Sequence, residues 1–376
     1  MLERIVVTGG TGFVGQTLVK ALAPGREIVV LTRGGALPPE LAALGTVRGV
    51  SWDAKTIGAW ASEIDGAAGV IHLAGSQAVG VRWTKRVKQR LFDSRVRSAD
   101  VLVEAIRLAP SRPRVLVSTS GTDYYAGRLT DEPVDESGPP GTGFLSRLCV
   151  DWEGAIRAAD SLGVRTVSAR LGLVVGRSKP FRLMTLPFRL FVGGPLGSGR
   201  QVFSWVHVDD VATALRRCLE DPALSGPINV CAPEALPHKE FARRLGRALH
   251  RPSWLPTPAF ALRLIFGEGA DPMLYGRRVV SKRLEEIGFR FAYPSLDPAL
   301  ADAVGACLSR RRALARRTPG TPSRVGGGTS RTGPAPCASA RRAKIRSFAR
   351  RRCGVRGRSG SSRRRVVRRR RERSEL

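Results

Sequence analysis

The stretch VTGGTGFVG, residues 7–15, decides the fold. A strand-like apolar run (residues 2–8) leads into it and a helix-like stretch (13–22) leads out. Gly9, Gly12 and Gly15 thus fall in G-x-x-G-x-x-G spacing between a strand and a helix, the context in which such glycines cradle a pyrophosphate. Gly9 permits a tight turn, Gly12 lets backbone N–H groups approach the phosphates, and Gly15 lets the helix pack on the strand. The helix N-terminus then favours the anion. Thr11, Phe13 and Val14 complete the loop. A bare glycine turn is the competing reading, and the flanking strand and helix argue against it.

The same alternation continues outward. EIVVLTR, a weaker run at 47–52, GVIHLAG and RVLVST are short apolar runs, with a long helical pattern at 85–108 before the last of them. Strands that are apolar throughout belong in a sheet covered by helices on both faces. The βαβα order predicts an α/β fold with a doubly wound parallel sheet. A turn-rich segment (127–143), a helix (144–162) and the strand RTVSARLGLVVG (165–176) follow. The organisation expected is a dinucleotide-binding domain over 1–176, to which 201–231 partly returns, and a smaller lobe over 177–308.

Cofactor type is read at the end of the second strand. A carboxylate there would bind a ribose 2′-hydroxyl and favour NAD. The chain has Thr32-Arg33-Gly34 instead. Arg33 can pair with a 2′-phosphate, so NADP(H) is expected, with NAD(H) as the alternative. A solvated surface arginine is the other reading of Arg33.

Charge divides the chain of 376 residues. The net charge is +32, but 24 of the 63 basic and only 2 of the 31 acidic residues lie in 309–376. That tail carries +22 and the remainder +10. Rich in Arg, Gly, Ser and Pro, the tail is expected to be disordered. It could bind nucleic acid non-specifically, or be an extension from a shifted reading frame in a GC-rich gene. No apolar run reaches the ~18 residues of a membrane span, so no membrane partner is expected. Six scattered cysteines without C-x-x-C spacing, and no secretory signal, predict reduced thiols in a cytoplasm and no metal site.

Together VTGGTGFVG, VIHLAG, Arg82-Trp83, LFDSR, VSTSGTDYY, DWE, FRLFVGGPLGSGRQVFSWVHVDD and KRLEEIGFRF resemble the atypical short-chain dehydrogenase/reductases labelled "epimerase family". The resemblance covers about residues 3–305. It implies an extended-type Rossmann fold of that superfamily, NADP binding, and a small C-terminal domain of unassigned role over 250–305. By the same resemblance Leu73 and Ala74 would line the cofactor, with Arg95, Arg90 and Val174 as further contacts.

Active members of the superfamily hold the substrate oxygen with a Ser or Thr, and use a Tyr whose pKa a Lys four residues on lowers. Ser120 stands at the first of these positions. Aligned on Glu153, the Tyr and Lys positions hold Leu145 and Cys149, so the usual pair is absent. Tyr124 and Tyr125 could supply a phenol from the loop, or be wall residues with bonded hydroxyls. No histidine or lysine near Cys149 in sequence would activate it. Arg200 in GGPLGSGRQ could bind an anionic group of a small-molecule substrate, or face water. Asp209 or Asp210 is expected to cap a helix from Val211, and His72 to end a strand. Two functions stay open: an NADP(H)-dependent oxidoreductase or epimerase-like enzyme, and a dinucleotide-binding regulator without catalysis.

Overall fold

The computed structural model describes residues 2–127 and 132–315. Six strands come first: β1 (Glu3–Thr8), β2 (Arg26–Thr32), β3 (Val47–Ser51), β4 (Gly69–His72), β5 (Val115–Gly121) and β6 (Arg165–Leu171). Short strands β7 (Leu173–Val175), β8 (Val202–Phe203) and β9 (Trp205–His207) lead to β10 (Gly226–Val230). The main sheet has the order β10-β6-β5-β4-β1-β2-β3, with every pair parallel.

Alternation along β1 shows why its sequence is apolar throughout. Ile5 and Val7 pack with Leu18 and Leu22 of the helix Phe13–Leu22 and with Val211 and Leu215 of the helix Val208–Glu220. Val6 points the other way, into a second cluster with Leu102 and Ile106 of the helix Ser98–Leu108 and Leu148 and Trp152 of the helix Phe144–Arg157. Neither face reaches water, which is the condition for an open parallel sheet. After β1 the chain builds β2 and β3 on one side; from β4 it builds on the other. Between β1 and β4 a crevice therefore opens at the carboxyl ends of the strands, the place where such sheets bind ligands.

After β6 the chain leaves the sheet and rejoins it as β10, beside β6. A third core cluster, including Phe181, Phe188, Phe241, Leu245, Leu296 and Leu300, gathers residues that all follow β6 in the chain.

Three local expectations differ from the structure. The helical pattern at 85–108 is broken: Lys85–Phe92 and Ser98–Leu108 are joined by a π-helical turn, Asp93–Arg97. Such turns are rare and concentrate at functional sites; this one carries Arg95. The strand expected at 165–176 divides into β6 and β7 at Gly172, where a Cβ would stand 2.7 Å from the Ser204 carbonyl oxygen. The last helix, Leu296–Ala315, runs past Ser309, where disorder was expected to begin. Leu, Ala and Arg are strong helix formers, and composition alone hid that extension. The rest of the expected disordered tail, 316–376, lies outside the described residues.

Candidate dinucleotide-binding and reaction site

The glycine loop connects β1 to the helix Phe13–Leu22 and packs against the carboxyl end of β4. Gly9 has φ +68°, and a Cβ there would lie 2.7 Å from the Leu73 carbonyl carbon and 2.9 Å from the Ala74 nitrogen. Gly15 lies so close to the turn that a Cβ would collide with the Gly9 carbonyl oxygen and stand 2.6 Å from Gly10 Cα. Both positions exclude side chains for packing reasons alone.

Gly12 is different. Its N–H donates to the Gly9 carbonyl at 2.9 Å, its φ of −75° suits any residue, and a Cβ would meet only that same oxygen, at 3.1 Å. The residue is exposed. No side chain caps the helix that starts at Phe13, and no acidic residue sits in its first turn. Its first N–H groups are thus left for an external anion. The Thr11 carbonyl is held by Gln16 Nε2 at 2.9 Å. The Phe13 ring packs on Gly176, where a Cβ would stand 2.7 Å from it. Half-buried Val14, Leu73 and Val174 lie against one core cluster, so residues distant in sequence meet at this cleft.

Thr32 ends β2, and its carbonyl accepts N–H bonds from Gly35 (3.2 Å) and Trp52 (3.0 Å). Arg33 follows, exposed and without an ion pair among the described residues. At the end of β4, Ala74 N–H donates to Thr8 Oγ1 at 3.3 Å, and Thr8 Oγ1 bonds His72 Nδ1 at 2.8 Å. The Ser98 hydroxyl donates to the Ser94 carbonyl at 2.9 Å, which leaves His72 Nε2–H to donate to Ser98 at 3.3 Å. Burial lowers the His72 pKa to about 4. Neutral His72 is a brace between β1, β4 and the helix behind them.

Arg95 brings charge to the cleft. Its guanidinium carbon would be 3.4 Å from a Gly75 Cβ and lies 5.3 Å from the Trp152 ring centroid. Burial lowers its pKa, an effect opposed by Cys149 and Asp123. Asp123 sits half-buried just beyond β5, with Oδ2 3.2 Å from where a Gly121 Cβ would be. Burial raises the Asp123 pKa and Arg95 works against the rise. Cys149 Sγ is 3.9 Å from the Gly121 carbonyl oxygen. Burial, then Asp123 and Glu153, push its pKa up to about 12, which keeps the thiol protonated and a poor nucleophile. Leu145 and Cys149 both lie on the buried face of their helix.

Ser120 and Tyr125 are committed elsewhere. The Ser120 hydroxyl donates to Glu153 Oε1 at 2.8 Å. Glu153 and Arg170 form a two-point ion pair, Nε to Oε1 at 2.8 Å and Nη2 to Oε2 at 2.7 Å, with side chains only 4% and 3% exposed. Arg170 Nη1 donates to the Tyr125 oxygen at 2.6 Å, and the Tyr125 hydroxyl donates to Asn229 Oδ1 at 2.9 Å. Burial pushes the Tyr125 pKa up to about 12 despite Arg170. This chain of bonds ties β5, β6, β10 and the helix Phe144–Arg157 together, and it holds the Tyr125 phenol away from a proton-transfer task. Tyr125→Phe is therefore expected to cost about 1–3 kcal/mol of stability, through the unpaired Asn229 and Arg170 groups, with NADPH affinity unchanged. Thermal unfolding and a fluorescence titration measure the two effects. Tyr124 is placed otherwise: Arg170 lies 3.4 Å above its ring, and its hydroxyl has no hydrogen bond among the described residues.

Arg200 is exposed, and its backbone N–H donates to Ser198 Oγ at 3.3 Å. Arg90 is exposed as well. The cap of the helix Val208–Glu220 is His207, whose Nδ1 accepts the Asp209 N–H at 3.3 Å. Asp210 instead binds the Ala292 and Tyr293 N–H groups, at 2.6 and 3.0 Å. The expected aspartate cap is thus corrected, because Asp210 is drawn inward to a loop 82 residues away.

Sequence reasoning missed Asp123 and the Glu153–Arg170 pair. Asp123 had one available signal, a carboxylate immediately before the two tyrosines. Arg170 had none, since its partners are 17 and 45 residues distant.

Known proteins are similar to this chain in sequence and fold. Residues 5–231 match the NAD dependent epimerase/dehydratase family, and residues 257–303 match a domain of unknown function, DUF1731. The chloroplastic SDR39U1 homolog of Arabidopsis thaliana, an epimerase family protein, is 37% identical over 300 residues, 79% of this chain and 85% of its own. Epimerase family protein YfhF of Bacillus subtilis is 34% identical over 80% of this chain and 98% of its own. The crystal structure of human epimerase family protein SDR39U1, solved with NADPH, superposes with a TM-score of 0.71 at 32% identity, over 80% of this chain and 99% of that one. On the family match and these identities, the chain belongs to the NAD dependent epimerase/dehydratase family, among its epimerase family proteins.

Proposed function

We propose that the protein binds NADP(H) in the crevice between β1 and β4 and acts as an oxidoreductase or epimerase-like enzyme on a small molecule. The observation that carries this reading is the open position at Gly12, on an uncapped helix N-terminus, with Arg33 exposed and without an ion pair among the described residues at the end of the neighbouring strand β2. The human relative solved with NADPH supports it. Gly9, Gly12 and the first N–H groups of the helix Phe13–Leu22 would hold the pyrophosphate, and Arg33 the 2′-phosphate. Leu73, Ala74 and Val174 would line the cleft.

A bound nicotinamide dinucleotide supplies hydride exchange with carbon. The chain's own part is proton handling and charge. Leu145 and Cys149 cannot do what a Tyr–Lys pair does, and Ser120 and Tyr125 have their protons engaged. Asp123 and Tyr124 are left to hold or move a proton at a substrate oxygen, with the Arg95 cation beside Asp123. The reduced, buried cysteines Cys149, Cys218 and Cys231 suit a reducing compartment such as the cytoplasm.

Arg33→Ala is expected to weaken NADPH binding roughly 10- to 100-fold, the worth of charged hydrogen bonds to a phosphate, and to leave NADH affinity unchanged. Paired titrations measure this, and an equal loss for both dinucleotides would remove Arg33 from the site. The absent Tyr–Lys pair favours a second reading, a dinucleotide-binding regulator. Oxidation of NADPH in a broad carbonyl and nucleotide-sugar screen, lost in Asp123→Asn, decides for the enzyme.

A further inference from the structure

Among the described residues, ten of the sixteen exposed large apolar side chains fall in two short segments, 183–192 and 254–265. The segments are neighbours. Trp254 Nε1 donates to the Phe191 carbonyl at 3.0 Å, and the Leu255 N–H to the Gly193 carbonyl at 3.2 Å. On the first, Leu183, Leu186 and Leu190 recur at helical spacing on the outer side, while Phe181 and Phe188 fill the core. On the helix Ala259–Phe266, Leu262 is buried and Phe260 and Leu264, opposite it, are 74% and 75% exposed. Elements that are apolar on both faces bury both, and a contiguous exposed apolar surface marks a partner.

Charge identifies the occupant. Residues 179–193 and 250–266 contain five Lys or Arg and no Asp or Glu. Outside them, Asp271 offsets Arg263 at 3.6 Å. A second copy docking on this surface by a two-fold axis would set like cations against one another. The net charge of +22 over residues 309–376 argues in the same way against the chain's own tail as the occupant. Leucine and phenylalanine beside an exposed tryptophan, with Arg251 over the Phe191 ring at 4.7 Å and Lys179 and Arg182 in the same segment as Leu183 and Leu186, is instead the chemistry of a surface that lies in the interface of an anionic bilayer. No helix among the described residues is long and apolar enough to cross a membrane, and attachment of this kind needs none.

We propose that this face of the smaller lobe docks on anionic lipid bilayers, inserting Trp254, Phe260 and Leu264 at the headgroup level. The protein carries its own reporter. Trp52, Trp60, Trp83, Trp152 and Trp205 are buried, and only Trp254, 65% exposed, can change environment on docking. The full chain, titrated with vesicles of mixed phosphatidylglycerol and phosphatidylcholine, is expected to show a blue-shifted emission that brominated lipid quenches. Trp254→Phe should remove the shift. Phe260→Glu with Leu264→Glu should reduce partitioning more than about tenfold, since two exposed apolar anchors are lost, with thermal unfolding unchanged. Several results overturn the proposal: no shift with anionic vesicles, a shift that survives the double substitution, or a vesicle-free shift that grows with protein concentration. The last would assign the face to a second copy, and capture of an acidic protein with no lipid response would assign it to that protein.

Discussion

Gly12→Asp is expected to lower NADPH affinity at least about 100-fold while leaving the fold intact. A Cβ at this position meets only the Gly9 carbonyl oxygen, at 3.1 Å, and the backbone at φ −75° accepts any residue. The new carboxylate would occupy the space before the helix N-terminus where a pyrophosphate would bind, and would repel it at close range. Retained circular dichroism and melting temperature, with titration fluorescence lost, is the result that separates site from scaffold. Gly15 provides the contrast. A side chain there collides with the Gly9 carbonyl, so Gly15→Val should lower stability and binding together.

The second large effect is on stability. Arg170→Met removes the cation from a buried pair whose carboxylate, Glu153, is only 4% exposed and has Ser120 as its other partner. Breaking such a pair from one side costs about 3–5 kcal/mol, because the remaining charge is left uncompensated. For a protein of this size the melting temperature should fall by roughly 10 °C. Arg170→Met with Glu153→Leu should recover part of the loss, since no charge then stays buried. A double variant no more stable than the single one would mean that the bonds to Tyr125 and Ser120, rather than the charge, carry the cost.

What could be read from the amino acids follows from the range of each interaction. The glycine loop is legible because turn, phosphate approach and helix packing are all settled within nine residues. The alternation of apolar runs and helical stretches likewise announced the parallel sheet, since each strand had to be apolar on both faces. Arg33 was legible as a residue type at a strand end. The break of the helix at Asp93–Arg97 was not, because a π turn leaves the apolar periodicity nearly unchanged. Nor was the engagement of Ser120 and Tyr125. Their partners Glu153, Arg170 and Asn229 come from a helix and two strands that only the folded sheet brings together. Spacing marked both hydroxyls as candidates for chemistry, and long-range hydrogen bonding gave them structural work. Asp123 stood in plain view beside the tyrosines, but its interest depends on burial and on Arg95, 28 residues earlier, which packing alone places near it.

The proposed function stands on NADP(H) binding in the crevice between β1 and β4, with Arg33 at the 2′-phosphate. A crystal structure of the full chain grown with NADPH tests it most directly. Expected are the pyrophosphate over Gly12, the 2′-phosphate hydrogen-bonded to Arg33, and the nicotinamide ring facing Asp123 and Tyr124. Density for the dinucleotide elsewhere, or a 2′-phosphate that Arg33 does not touch, would contradict it.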